Sequence, residues 1–224
     1  MLHNRLGWYS VPAMRDPLVP AGLDDAYARE LLRRQDALQA EARGVVAELG
    51  LVPLLARAGR VEQVGSSVSG LMVWRDLDFG VLCRDPTAER AFAAIRPLLT
   101  HPRVTEFDYR NQTGHRAPPV IRGDERYYFA THCETAAGAA WKIDVSFWRS
   151  DAPRDYLPYA ERLTRQLTDE TRLAILWIKD VWHRLPTYPE EVSGVDVYDA
   201  VLEHGVRTPQ EFTVYLRQRG LPAP

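Results

Sequence analysis

A chain of 224 residues, 46% hydrophobic and 26% charged, is long enough for a substantial core and has the composition of an ordinary globular protein, which excludes a largely disordered chain. A net charge of −2 and a pI near 6.3 speak against a broad basic face for nucleic acid, while a local basic groove stays open. Cys83 and Cys133 have no zinc-type spacing, no stretch has the roughly 18 apolar residues of a membrane span, and the N-terminus has no leader pattern, so a cytoplasmic protein is expected.

Residues 1–22, rich in proline and glycine, read as an N-terminal arm packed by Trp8 and Tyr9. From Asp24 to Leu49 the apolar residues Tyr27, Leu31, Leu38, Ala42, Val45 and Leu49 recur at helical spacing, with Asp24 and Asp25 at the start and Gly50 at the end. A short helix follows over 51–58. The period then changes. "RVEQVGSS" reads as a strand running into a Gly/Ser turn, and "RDLDFGVLC" as a second strand. A helix after Pro86 ends before Pro102. "RVTEFDYRN" reads as a strand and the segment after it as a loop. "RYYFATHCE" and "AAWKIDVSFW" form an antiparallel pair around "TAAG".

Beyond residue 150 the pattern is helical. Thr168 caps a helix whose apolar stripe is Ala174, Trp177, Ile178, Val181, Trp182 and Leu185. A short helix closes at Gly205. Thr208 and Glu211 form a capping box, and Gly220 ends the last helix. The reading is α+β, a mixed sheet with flanking helices over residues 23–150, followed by a helical subdomain over 151–224.

Two aspartates, Asp76 and Asp78, interrupt an apolar strand. Residues i and i+2 share a face, so Leu77, Phe79 and Val81 anchor the strand while the two carboxylates project together. Unpaired, they repel, and one has its pKa raised; Mg²⁺, which takes carboxylate oxygens, resolves the conflict. Alone, such a pair reads as two aspartates on a solvated edge strand. Upstream, Gly65 and Ser66 open a turn of small residues that lets a phosphate approach the backbone.

Gly65-Ser66, nine residues, then Asp76-x-Asp78 resembles the signature of the nucleotidyltransferase superfamily, whose fold is similar to the palm-like domain of DNA polymerase beta. Gly70 also sits where small antibiotic-modifying members carry a glycine. The third carboxylate that the family places on a later strand is matched by Asp144 in "WKIDVSFW". The match covers residues 55–148. The resemblance implies that Asp76, Asp78 and Asp144 hold two Mg²⁺ ions, with Asp144 also a candidate for the acceptor proton, and that Gly65 and Ser66 cradle the phosphates of an NTP.

The only lysines, Lys142 and Lys179, gain interest from this. Lys142 shares a face with Asp144 and either contacts a phosphate or neutralises the acidic cluster. Lys179 lies off the centre of its helix stripe, as a triphosphate-binding or a solvated lysine. His101, His115, His132, His183 and His204 show no metal-ligand spacing. Arg110, Arg116 and Arg122 flank a loop near the site, and Trp74 and Trp148 read as core. The expected activity is nucleotidyl transfer to a hydroxyl of a small molecule, such as an antibiotic. The alternatives are a toxin-like or regulatory transferase acting on tRNA or protein, and a noncatalytic NTP-binding module.

Overall fold

The computed structural model describes residues 23–119, 125–154 and 156–223, with the side chains of 156–158 outside the description. The expected arm with Trp8 and Tyr9, and Arg122, lie outside the described residues. The architecture is α+β, a five-stranded mixed sheet flanked by helices.

The chain begins with α1 (Asp25–Glu48), capped by the Asp24 carboxylate accepting from the Tyr27 N–H, and α2 (Leu51–Leu55). Strand β1 (Arg60–Val64) leads through a four-residue helical turn, α3 (Ser66–Ser69), to β2 (Asp76–Leu82). Helix α4 (Ala88–Leu99), capped by Thr87, accommodates Pro97 inside its last turn. Then come β3 (Val104–Gln112), β4 (Arg126–Glu134) and β5 (Ala140–Trp148). Four helices follow, α5 (Tyr156–Gln166), α6 (Asp169–Trp182), α7 (Gly194–His204) and α8 (Pro209–Gln218). Among the described residues, no helix is long and apolar enough to cross a membrane.

The strand order is β1-β2-β5-β4-β3, with β2 and β5 parallel and the other pairs antiparallel. One face is apolar. Leu77, Phe79, Val81, Ile143, Val145, Phe147 and Phe129 are buried there in a cluster with Ala42 and Val45 of α1, Leu51 and Leu55 of α2, and Ile95 and Leu98 of α4. A second cluster joins α6, α7 and α8 through Ile175, Ile178, Trp182, Val197, Val201, Phe212 and Leu216, and takes in Leu31 of α1 and Leu71. Helix α1 therefore contributes to both cores. It is also tied to α6 by polar contacts. The Tyr27 hydroxyl donates to Asp180 at 2.5 Å and Arg34 pairs with it at 3.0 Å. Burial works against the Asp180 carboxylate, but these partners outweigh it and hold its pKa low, while burial and Asp180 push Tyr27 up to about 12.

The opposite face of the sheet is polar, and the register arranges it in cross-strand rows. Asp76 lies beside Lys142, and Lys142 beside His132. One step along, Asp78 lies beside Asp144 and Asp144 beside Ala130. Next, Gly80, Ser146, Tyr128 and Arg110 follow one another across four strands. Last come Leu82, Trp148, Arg126 and Gln112.

Candidate active site

The alternation of β2 and β5 decides the site. Because the two strands run parallel and in register, each places every second residue on the polar face, and Asp76, Asp78, Lys142 and Asp144 become nearest neighbours there. The three carboxylates and Lys142 are thus brought together. The side chains of Asp76 and Asp144 are 14% and 16% exposed, yet Asp76 Oδ1 and Asp144 Oδ1 are buried without a hydrogen-bond partner. Such an oxygen loses its hydration without compensation.

Burial first, and then the neighbouring carboxylates, drive Asp78 well above the usual carboxylate range. Burial raises Asp76 too, against the pull of Lys142. The Lys142 ammonium donates to Asp144 Oδ2 at 2.6 Å and lies 3.9 Å from Asp76 Oδ1. Burial opposes its charge, but Asp76 and Asp144 prevail and its pKa ends above the ordinary lysine value. Lys142 in this structure neutralises the cluster.

Gly65 closes the site from the β1 side. Its φ is +75°, and a Cβ there would lie 2.2 Å from Asp78 Oδ2. A side chain at position 65 would thus strain the backbone and take the space the carboxylate fills. Ser66 opens the adjoining turn and lines the same cavity.

Two cavities meet at the carboxylates. One, of 360 Å³, lies between the sheet and the helices; Gly65, Ser66, Asp76 and Lys179 line it, with an apolar wall from Tyr188, Val195 and Tyr198. The other, of 350 Å³, extends along the sheet over Gly80, Ser146, Tyr128, Arg126 and Arg110. Asp78, Lys142, Asp144, Val64 and Pro189 line both.

Lys179 is not a solvated lysine. It is 1% exposed, its ammonium donates to the Leu71 carbonyl at 2.6 Å and to the Tyr198 hydroxyl at 3.2 Å, and it stands over the rings of Trp74 and Tyr198 at 5.1 and 5.5 Å. Burial lowers its pKa to about 8. The loop before β2 and helix α7 cover the flank of α6 that the apolar stripe leaves open. Trp148 is buried as expected, but Trp74 is half-buried, stacked on His183 and lining the larger cavity. His183 otherwise binds the Lys179 carbonyl, and His204 meets Arg219 at the surface. Arg110 lines the smaller cavity, and Arg116 is exposed on the loop after β3.

Two residues of the site carry no signal in the sequence. Tyr128 stands beside Asp144 on the polar face, with burial first and that carboxylate second raising its pKa. Arg126 is held between the rings of Tyr128 and Trp148. Both depend on the β4–β5 register, which local patterning does not fix.

Among the described residues, no group of three or more His, Cys, Asp or Glu side chains has converged into a ready metal site. Lys142 stands among the carboxylates and satisfies part of their charge. The chemistry of the set nonetheless fits a divalent cation: hard oxygen donors side by side, two of them unpartnered.

No protein-family model and no curated protein matches the chain. Among solved structures, it is similar to Cid1 in complex with its short product ApU, with 17% identity and a TM-score of 0.47 over 69% of this chain and 44% of that one. A cytoplasmic RNA terminal U-transferase gives 16% and 0.49 over 80% and 52%. CdnC of E. coli MS115-1, in complex with HORMA-deltaN, gives 13% and 0.40 over 87% and 66%. The chain thus spans about half the length of the first two. These neighbours are nucleotidyltransferase-fold proteins.

Proposed function

We propose that the chain transfers a nucleoside monophosphate from an NTP to a hydroxyl of a small-molecule acceptor. The observation that carries this reading is the β2–β5 register. It sets Asp78 beside Asp144 and Asp76 beside Lys142, at the seam of two cavities that share these carboxylates.

In this reading the larger cavity takes the NTP and the smaller one the acceptor. Gly65 and Ser66 border the triphosphate, and the buried Lys179 supplies positive charge beside it. Tyr188, Pro189 and Val195 exclude water from the nucleoside. Asp76, Asp78 and Asp144 would hold Mg²⁺, which when bound neutralises the triphosphate and lowers the pKa of the acceptor hydroxyl. Asp144 Oδ1, unpartnered and on the wall common to both cavities, takes the proton of that hydroxyl. The acceptor oxygen bonds to the α-phosphorus, the bond to the bridging oxygen breaks, and pyrophosphate leaves. Lys142 orients Asp144 through the 2.6 Å bond to its Oδ2.

With Mg²⁺ and α-labelled NTPs, the purified protein is expected to release pyrophosphate and label an acceptor. Asp78→Asn is expected to lower that rate by about 10³-fold or more, with the circular dichroism spectrum unchanged. Full activity in Asp78→Asn rules the reading out.

A further inference from the structure

The charged side chains on the wall of the 360 Å³ cavity are three carboxylates, Asp76, Asp78 and Asp144, and two ammonium groups, Lys142 and Lys179. The two cations differ in their freedom. Lys179 is buried, with its ammonium committed to the Leu71 carbonyl and the Tyr198 hydroxyl. Lys142 is 34% exposed along its side chain, lines both cavities, and carries its ammonium on a flexible four-carbon stem. That ammonium donates to Asp144 Oδ2 at 2.6 Å, whereas Asp76 Oδ1, at 3.9 Å, is too far for a hydrogen bond. One ammonium thus stands among three carboxylates and satisfies them incompletely, for Asp76 Oδ1 and Asp144 Oδ1 have no hydrogen-bond partner.

Each ligand of the proposed reaction meets an obstacle here when it comes alone. A divalent cation approaching the carboxylates finds the ammonium already on Asp144, and like charges so close repel. A triphosphate entering the larger cavity finds three carboxylates on its wall. Together the two ligands remove both obstacles. The cation suits the carboxylate oxygens. The ammonium, released from Asp144, meets phosphate oxygens beside the same wall, and one charge-assisted hydrogen bond replaces another. Resting on the nucleotidyl-transfer reading, we infer that Lys142 serves two partners in turn: it orients Asp144 until nucleotide arrives, then passes to the triphosphate as a divalent cation takes its place. Lys142 keeps its charge throughout. Because the ammonium has to leave Asp144 only once when both ligands enter, each binds more tightly in the presence of the other, and the effect is reciprocal.

The test is calorimetric titration of wild type, Lys142→Met and Lys142→Arg with Mg²⁺ alone, with inorganic tripolyphosphate alone in EDTA, and with tripolyphosphate in excess Mg²⁺. Lys142→Met is expected to bind Mg²⁺ alone about 10-fold more tightly than wild type, and tripolyphosphate alone about 3–10-fold more weakly. The gain that one ligand gives the other is expected to shrink about 10-fold. A lysine with a merely structural role would move both affinities the same way. Lys142→Arg, which keeps the charge, is expected to stay close to wild type and separates charge from folding. A second measurement needs no variant. In wild type labelled with ε-¹⁵N-lysine, which has only two such groups, the Lys142 ammonium resonance is expected to move when tripolyphosphate and Mg²⁺ are both present, and to stay in place with the same Mg²⁺ alone. Affinity changes of the same sign, or a Lys142 resonance that stays in place while both ligands bind, overturn the inference and leave the transfer reading standing. If neither tripolyphosphate nor any of the four NTPs binds, with Mg²⁺ or without it, the transfer reading fails and the inference with it.

Discussion

The two lysines occupy opposite electrostatic surroundings a short way apart. Lys142, on β5, is one-third exposed and touches two carboxylates, which raise its pKa in spite of its burial. Lys179, on α6, is enclosed by a carbonyl, a phenol and two rings; burial lowers it to about 8. Strand alternation places the first beside Asp144, while nothing in the helix stripe shows the enclosure of the second. The first lysine is stabilised by charges that a cation would claim, and the second sits where no carboxylate among the described residues is in direct contact.

The largest expected effect separates the two by pH. Lys179 has a folded pKa below its unfolded value, so between about pH 8 and 10 the unfolded chain binds more protons there and stability rises with pH. Urea unfolding of wild type, measured against Lys179→Met, should show a relative gain of about 2 kcal/mol across that window. Parallel curves would mean that Lys179 is not depressed. Next is Lys142→Met in EDTA. Removing the ammonium leaves three carboxylates facing one another, for a loss of about 1–2 kcal/mol, discounted because Lys142 is partly in water. Mg²⁺ should then raise the melting temperature of the variant more than that of wild type, since no ammonium competes for Asp144. An equal rise would mean that lysine and cation do not share a place.

Much of this site was legible because it follows strand alternation. Asp76, Asp78 and Asp144 sit among apolar residues at period two, and that period alone sets the face they share. The capping residues Asp24, Thr168 and Thr208 likewise act as their types suggest. The burial of Lys179 was not legible. Its helix shows an apolar stripe that omits it, and the groups that enclose it, Leu71 and Tyr198, come from distant parts of the chain. The placement of Arg126 between Tyr128 and Trp148 was hidden for a similar reason, since it depends on how β4 and β5 align.

Two smaller effects sharpen the contrast between the sheet and the helices. Gly65→Ala should cost about 1–2 kcal/mol, from the positive φ and from contact with Asp78 Oδ2. Combined with Asp78→Ala in a double-mutant cycle, the cost should shrink, because the second contribution is gone; strict additivity would mean that Asp78 does not press on Gly65. Tyr27→Phe, which loses the 2.5 Å bond to Asp180 between α1 and α6, should cost about 1 kcal/mol in thermal unfolding. It should leave the transfer rate unchanged, and a fall in rate would show that the helical contacts reach the sheet.

The parallel register of β2 and β5 also bears on how the chain avoids misfolding. A slip of one residue would turn Asp144 inward among Phe79, Phe129 and Ile95 and bring Ile143 out into the cavity. A charged group forced into that core without a partner costs far more than a lost hydrophobic contact. The carboxylates that crowd one another in the native state therefore penalise the mispaired states more heavily. The acidic cluster serves assembly as a register key, before any substrate arrives.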